Sequence, residues 1–496
     1  MNFDLAAIFS FANVSANFMG TLIGIVFGAI PGISTAMTLA LFLPFTFGME
    51  PVQALGFLMG IYVGGNYGGA ITAILIKTPG TPAAAATVLD GYPLAQQGKA
   101  KEAISIATIG SVIGGMVGSV FLIVFAPMIA SVALVFGPAE FFAIGLFGLS
   151  MISSLSSDNF LKGIIAACIG LLLATVGMDP ITGSIRMTFG SRTMISGIEF
   201  ISVMIGLFAI SEILLKLEKI VKERAVGPMA LSGNIVSFKV IKQNALNIAR
   251  SCLIGLGVGI IPAIGTGTGA WISYNEAKRA SKNKEEFGKG SREGIFAAET
   301  ANTAVTGGSL VPTLTLGIPG DVMTAVMLGA FLIQGLTPGP ALFRDHPDVV
   351  TGIYVMFIIS DIFVLILGFL GIRVFASILK IPIDFLMTCV VVVCLLGAYA
   401  YNLSVFSMRI ALVMGVVGYI FNKAKFPIPP IILGLILGPL VESNFRRALT
   451  ISRGSFDIFL RPISATFIFI AMMAFIWPII SKQYKKYKAH KKAQAT

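Results

Sequence analysis

The sequence predicts an all-α polytopic membrane protein made of two inverted-topology repeats, and three observations carry that expectation. Of 496 residues, 56% are apolar and 12% charged, with a mean hydropathy of +0.91, whereas soluble domains run at about 45–50% apolar and about 25% charged. Apolar runs of about 20 residues, enough to cross ~30 Å of hydrocarbon, recur along the chain. The two halves also match each other in sequence.

In chain order, segments 53–76, 103–125, 138–155, 161–177 and 198–217 are expected to span in the first half. Segments 294–318, 350–371, 384–400, 405–421, 428–441 and 462–480 are expected to span in the second. Residues 16–46 form a longer apolar stretch, about 46 Å as one helix at ~1.5 Å per residue, and Pro31-Gly32 breaks it. Residues 248–274 repeat the form around Pro262. A re-entrant hairpin of two arms is expected at each, with a kinked single span as the alternative.

Residues 24–31 overlay residues 255–262 at an offset of 231. Gly68-Gly69-Ala70 overlays Gly307-Gly308-Ser309 at 239, and Pro79-Gly80 overlays Pro319-Gly320 at 240. Loop charge orients the two copies under the positive-inside rule. The loop after the first hairpin has no basic residue, whereas its counterpart carries Lys278, Arg279, Lys282, Lys284, Lys289 and Arg292. After the Pro-Gly elements the order reverses, with Lys77, Lys99 and Lys101 in the first copy and Arg344 with two aspartates in the second. The expected organisation is a first repeat (1–217), a basic cytoplasmic linker (218–247), an inverted second repeat (248–441), a loop with an extra span (442–480) and a basic cytoplasmic tail (481–496). Each repeat holds one hairpin and about five spans, and the N-terminus lies outside. Arg446, Arg447, Arg453 and Arg461 resist this scheme, because it puts them outside; either the count errs by a span or they face a partner.

The net charge of +12 comes from these clusters and from a lysine-rich tail, which suits membrane lipid and not nucleic acid. Two histidines, in a loop and in the tail, leave little for imidazole chemistry, and four isolated cysteines show no CxxC pair. An intramembrane protease is disfavoured: Gly320-Asp321 has the wrong spacing for an aspartyl motif, and no span holds a histidine to activate a serine.

Breaks in helices near the membrane midplane expose N–H groups to anions and carbonyls to cations, the layout of secondary transporters. Pro31, Gly32, Ser34 and Thr35 supply one break, and Pro262, Gly265, Thr266, Gly267 and Thr268 the matching one. Pro79, Gly80 and Thr81, with Pro319 and Gly320, supply a second pair. Asn66, Glu299 and Asn302 are polar side chains near the Gly-Gly pairs. Small residues also serve close helix packing, which is the competing explanation for the glycines. Ser34, Thr35, Thr266 and Thr268 offer oxygens to a coupling ion, and Glu299 is a further candidate. Asp361, alone in its span, is another, or it is a packing residue paired with a base such as Arg409. Lys77 either neutralises an anion or snorkels to the surface.

The runs Gly28-Ala29-Ile30-Pro31-Gly32, Gly64-Gly65-Asn66-Tyr67-Gly68-Gly69, Pro79-Gly80-Thr81-Pro82 and Asp90-Gly91-Tyr92-Pro93 resemble the large membrane subunit of the bacterial tripartite tricarboxylate transporters. So do Glu299-Thr300-Ala301-Asn302, Gly317-Ile318-Pro319-Gly320 and Gly335-Leu336-Thr337-Pro338-Gly339-Pro340, and the likeness covers roughly residues 17–440. Ala263 departs from the glycine that often follows this proline, and Thr300 and Thr303 from a stretch usually richer in Ala and Asn. The resemblance implies a translocation subunit in the bacterial inner membrane that works with a small membrane subunit and a periplasmic solute-binding protein delivering an organic acid. It also implies drive by an ion gradient, usually sodium, with no cofactor. No G-x-x-x-x-G-K-[ST] element is present. A stand-alone anion exchanger, a proton-coupled carrier and a membrane scaffold subunit are the alternatives.

Overall fold

The computed structural model describes residues 5–151, 160–219, 231–262, 264–371, 375 and 383–476. The basic tail, much of the linker, Ala263 and the ends of the spans expected at 138–155 and 462–480 lie outside the described residues. The chain divides into one unit of residues 1–131 and 201–419 and another of residues 132–200 and 420–496. Six described helices are long and apolar enough to cross a membrane, and several shorter apolar helices accompany them.

In the first unit, α1 (Phe11–Gly28) starts where the Ser10 hydroxyl accepts the Asn13 N–H. After a break, α2 (Thr35–Phe42) starts on the Ser34 hydroxyl, which accepts the Met37 N–H at 3.1 Å. Pro51 opens α3 (Pro51–Ile76), where its missing N–H costs nothing. Gly20, Gly24 and Gly28 of α1 abut Phe57, Ile61 and Gly65 of α3. The partners climb together in steps of four, so the two helices run parallel. Gly60, Gly64 and Gly68 meet α1 from the other side. In lipid, where apolar burial does not drive helices together, such glycine seams supply the contact.

Two successive parallel helices need a return segment, and α2 provides it. The Phe27 and Phe42 rings lie 5.3 Å apart, whereas fifteen residues of continuous helix would separate them by ~22 Å. Residues 16–46 are therefore a folded-back hairpin and not a kinked span. The second hairpin repeats this: α10 (Ala245–Ile260) and α11 (Gly265–Ala280) fold together, Gly269 facing Val258. Gly255 and Gly259 of α10 abut Ala301 and Val305 of α12 (Arg292–Leu316), again in parallel register.

Between the hairpins lie α4 (Ala85–Leu94), α5 (Ala100–Ala133), α6 (Pro138–Ser150), α7 (Phe160–Ala174), α8 (Phe200–Met204) and α9 (Ser211–Lys219). A wide turn, Ile205–Ile210, joins α8 to α9. After α12 come α13 (Val322–Ile333), α14 (Pro347–Leu370), α15 (Ile383–Asn402), α16 (Val405–Lys423) and α17 (Pro429–Ile451), then α18 (Pro462–Ile476). Gly110, Gly114 and Gly118 of α5 abut Phe296, Thr300 and Ala304, so α5 parallels α12. Gly56 meets Met356 and Gly352 meets Val52, so α14 parallels α3. Thr108 meets Gly368 while Gly115 meets Asp361, so α5 and α14 run opposite ways. The two central helices α3 and α12, buried along nearly their whole lengths, thus run antiparallel.

Among the described helices, α13 and α4 lie outside the expected spans. The twelve-residue α13 is too short to register as a span, and α4 sits in what reads as a loop.

In the second unit, Gly170 and Gly434 bring α7 and α17 into backbone contact, and the rings of Phe142, Phe445 and Phe459 cluster with centroids 5.0–5.8 Å apart. The loop expected at 442–461 is helical as far as Ile451, where a Glu442–Arg446 pair at 2.9 Å spans one helical turn. Arg446 also binds Asp179 at 2.8 Å, and Arg186 bridges Asp179 and Glu442. Arg446 is therefore committed to an internal network, while Arg447, Arg453 and Arg461 are exposed. The Thr182 hydroxyl and the Ile181 N–H, then Arg446 and Arg186, hold the Asp179 carboxyl well below the usual carboxylate range. A depressed carboxylate contributes fully above its ordinary value, about 3.9, and its contribution is lost as pH falls below that. Acidifying from about pH 5 to about pH 2 is expected to lower the protection of the Ile181 and Gly183 amides, taken relative to the free-peptide exchange rate at each pH, in wild type, and Asp179→Asn to flatten the response. Equal acid sensitivity in both proteins would defeat this account.

Candidate functional site

The candidate site lies in the first unit, where both hairpin breaks and both Pro-Gly elements approach α3 and α12. At the first break Gly32 has φ +80°, a conformation favouring glycine. Thr35 is 3% exposed and presses on Gly65, and its hydroxyl has no hydrogen-bond partner. Asn66, 1% exposed, carries an unpaired side-chain N–H₂ group. Ser34 is occupied as the cap of α2, and Pro31 is half-buried.

Lys216 of α9 reaches this break: its Nζ donates to the Pro31 carbonyl at 2.6 Å, and a side chain on Gly32 would collide with its ammonium end. Lys216 lies at the end of the expected first repeat and is not among the candidate site residues named from the sequence. Its position near the end of an apolar helix was the one available signal.

The first Pro-Gly element follows Lys77, which closes α3 in the left-handed conformation (φ 59°). Lys77 is exposed, with its ammonium 5.6 Å from the Tyr92 ring centroid. Gly80 lies against Gly69, and its N–H donates to the Gly69 carbonyl at 3.3 Å. Thr81 is buried against Gly69 with its hydroxyl unpaired, and Pro79 is half-buried.

At the second break Pro262 and Thr266 are buried, Gly265 has φ +78°, and Gly267 faces the Pro82 carbonyl. Thr268 is not brought to the same place: it is exposed and donates to the Ile264 carbonyl at 3.1 Å. In the second Pro-Gly element, Pro319 and Gly320 are buried, and the Gly320 N–H donates to the Thr313 hydroxyl at 3.3 Å. Ser309 lies against Gly320 with its hydroxyl unpaired. Asp321, which the sequence reading weighed only as a protease motif, is buried, caps α13 through the Thr324 N–H at 2.7 Å and accepts the Tyr62 hydroxyl at 2.7 Å. That last bond ties the two halves together.

The central helices meet where the Asn302 side chain donates to the Asn66 carbonyl at 3.4 Å, leaving the Asn302 side-chain oxygen unpaired. Glu299 turns instead to α4 and α5, accepting the Thr87 hydroxyl and the Ser111 hydroxyl, the latter at 3.2 Å. Asp361 is fully buried against Gly115, accepts the Ser119 hydroxyl at 3.3 Å and leaves one carboxyl oxygen unpaired. Its neighbour is Ser119 and not Arg409, which is exposed on α16. Among the described residues, no group of three His, Cys, Asp or Glu side chains is placed to hold a metal ion.

Unpaired polar atoms enclosed among apolar helices are costly unless a ligand or water satisfies them. A multi-pass α-helical membrane protein with such a polar interior is the class that this fold and site define. The chain belongs to the Tripartite tricarboxylate transporter TctA family, whose description matches residues 14–433. It is therefore a large membrane subunit of a tripartite transport system, in a family of transporters and not of enzymes. It is 37% identical over 461 residues to an Agrobacterium vitis protein described as "Uncharacterized 52.8 kDa protein in TAR-I ttuC' 3'region", covering 93% of this chain and 92% of that one. A second protein of that organism, "Uncharacterized protein in TAR-II ttuC' 3'region", is 34% identical over 224 residues, covering 45% of this chain and 93% of that one. No solved structure matches the chain.

Proposed function

We propose that the chain forms the translocation path of a sodium-coupled carrier that imports tricarboxylates or related organic acids handed over by a periplasmic binding protein. The observation that carries this reading is the set of unpaired buried groups at the breaks and along the central helices: Thr35, Asn66 and Thr81 from the first half, Asn302 and Ser309 from the second. Hydroxyls and a side-chain N–H₂ group suit a carboxylate, and uncharged oxygens suit a sodium ion. The antiparallel course of α3 and α12, each with its own parallel hairpin, supports an inverted repeat. In this reading the hairpins move against the remaining helices to expose the site to each side in turn, with the N-terminus periplasmic and the tail cytoplasmic.

Asp361 favours a second reading in which protons drive transport, because a lone carboxyl buried within a span, with one hydroxyl neighbour, is a functional candidate by its cost. Uptake of labelled citrate and succinate into proteoliposomes holding this chain, its small membrane subunit and the binding protein separates the two. Accumulation that requires an inward sodium gradient is the expected result. Accumulation that follows a pH gradient and is lost in Asp361→Asn would establish the second reading, and absence of uptake of any di- or tricarboxylate would overturn both.

A further inference from the structure

We propose that Lys216 supplies the positive charge that receives a carboxylate of the transported acid at the first hairpin break. This inference rests on the carrier reading above and adds the residue that sets charge specificity. An anion entering a low-dielectric interior needs a counter-charge as well as hydrogen-bond donors. At the first break the Lys216 ammonium already lies within hydrogen-bond distance of the Pro31 carbonyl. The same break carries the unpaired Thr35 hydroxyl, which is able to donate.

The lysine is well placed to hold that position. Its helix α9 continues the turn Ile205–Ile210, which packs against α2, and Gly415 and Gly418 of α16 press on Ile210 and Ser211. The base of the side chain is fixed, while the four-carbon stem can move its ammonium from Pro31 to a ligand. A carboxylate is the stronger partner, since a hydrogen bond between two charged groups is shorter and stronger than one to a neutral carbonyl. Among the described residues the second break differs: a side chain on Gly265 would meet open space, without a lysine lying across it. The two halves share a backbone plan and differ in charge, so the first break is the one that takes the anion.

The rival explanation is that Lys216 only pins the hairpin tip to α9. The test uses the complete three-subunit assembly in proteoliposomes, with labelled citrate and succinate and with the monoamide of each acid as competitor. For Lys216→Gln we expect KM for both acids to rise about tenfold or more, which corresponds to about 1.4 kcal/mol, with kcat less affected. Wild type should prefer each acid over its monoamide, and Lys216→Gln should lose much of that preference. Lys216→Arg should keep it. As a control on folding, Lys216→Cys is assembled first and then treated with an aminoethyl or a methyl thiol reagent, and only the aminoethyl adduct, which restores a cation, should recover uptake. Unchanged KM in Lys216→Gln, or equal recovery by both adducts, overturns the proposal and leaves the carrier reading intact. Failure of wild type to take up any di- or tricarboxylate overturns the carrier reading, and this inference with it.

Discussion

Asp90→Ala is expected to destabilise the first unit by about 3–5 kcal/mol, the range for removing one partner from a buried charged cluster. Asp90 is fully buried. One carboxyl oxygen accepts the N–H groups of Gly288, Gly290 and Ser291 at 2.7, 3.0 and 2.9 Å, and the other accepts the Tyr274 hydroxyl at 2.8 Å. A single side chain of α4 thus satisfies four donors from the return arm of the second hairpin and from the loop that starts α12. Alanine leaves all four without this acceptor, and the two buried donors, the Tyr274 hydroxyl and the Ser291 N–H, cost about 1–3 kcal/mol each before the structure relaxes. Thermal unfolding of the detergent-solubilised assembly measures the loss, and Asp90→Asn should cost less because its amide oxygen still accepts. A destabilisation below about 1 kcal/mol would mean that water or a rearranged loop replaces the carboxylate, contrary to this account.

Gly24→Leu is expected to separate α1 from α3, at a cost of about 3 kcal/mol or more, at the upper end for forcing volume into a packed core. A side chain there would begin 2.6 Å from the Ile61 carbonyl oxygen and 2.8 Å from the Gly65 nitrogen. Both obstacles are backbone, so no rotamer change relieves the clash. Because Gly65 also supports Thr35, the substitution should lower transport as well as stability. Gly257→Leu, facing open space on α10, is the control and should leave both nearly unchanged. Equal effects at the two positions would sink the seam as the explanation.

These two positions show how legible the sequence was. The glycines of residues 16–46 and their copies could be read as a ligand site or as close packing, and the structure divides them. Gly20, Gly24 and Gly28 are packing residues, whereas Gly32 forms a turn at the break. The hairpins themselves were legible because Pro31-Gly32 and Pro262 interrupt stretches too long for one crossing. Lys216 and Asp321 were not legible as site residues, because each meets its partner across 185 and 259 residues respectively. Asp361 stood out as a charge in an apolar span, yet its neighbour is an unremarked serine on α5.

Composition and hydropathy determined by themselves that this chain is a helical membrane protein. Those properties are local, since each segment's transfer into lipid depends on its own side chains. The motif order pointed to the transporter family for the same reason, being carried by contiguous runs. Only the tertiary structure decided which helices run parallel and which polar atoms stay unpaired, and it brought a lysine to the first break. Close approach of helices in lipid depends on shape fitted between surfaces far apart in the chain, and a polar group's partners are fixed only when those surfaces meet.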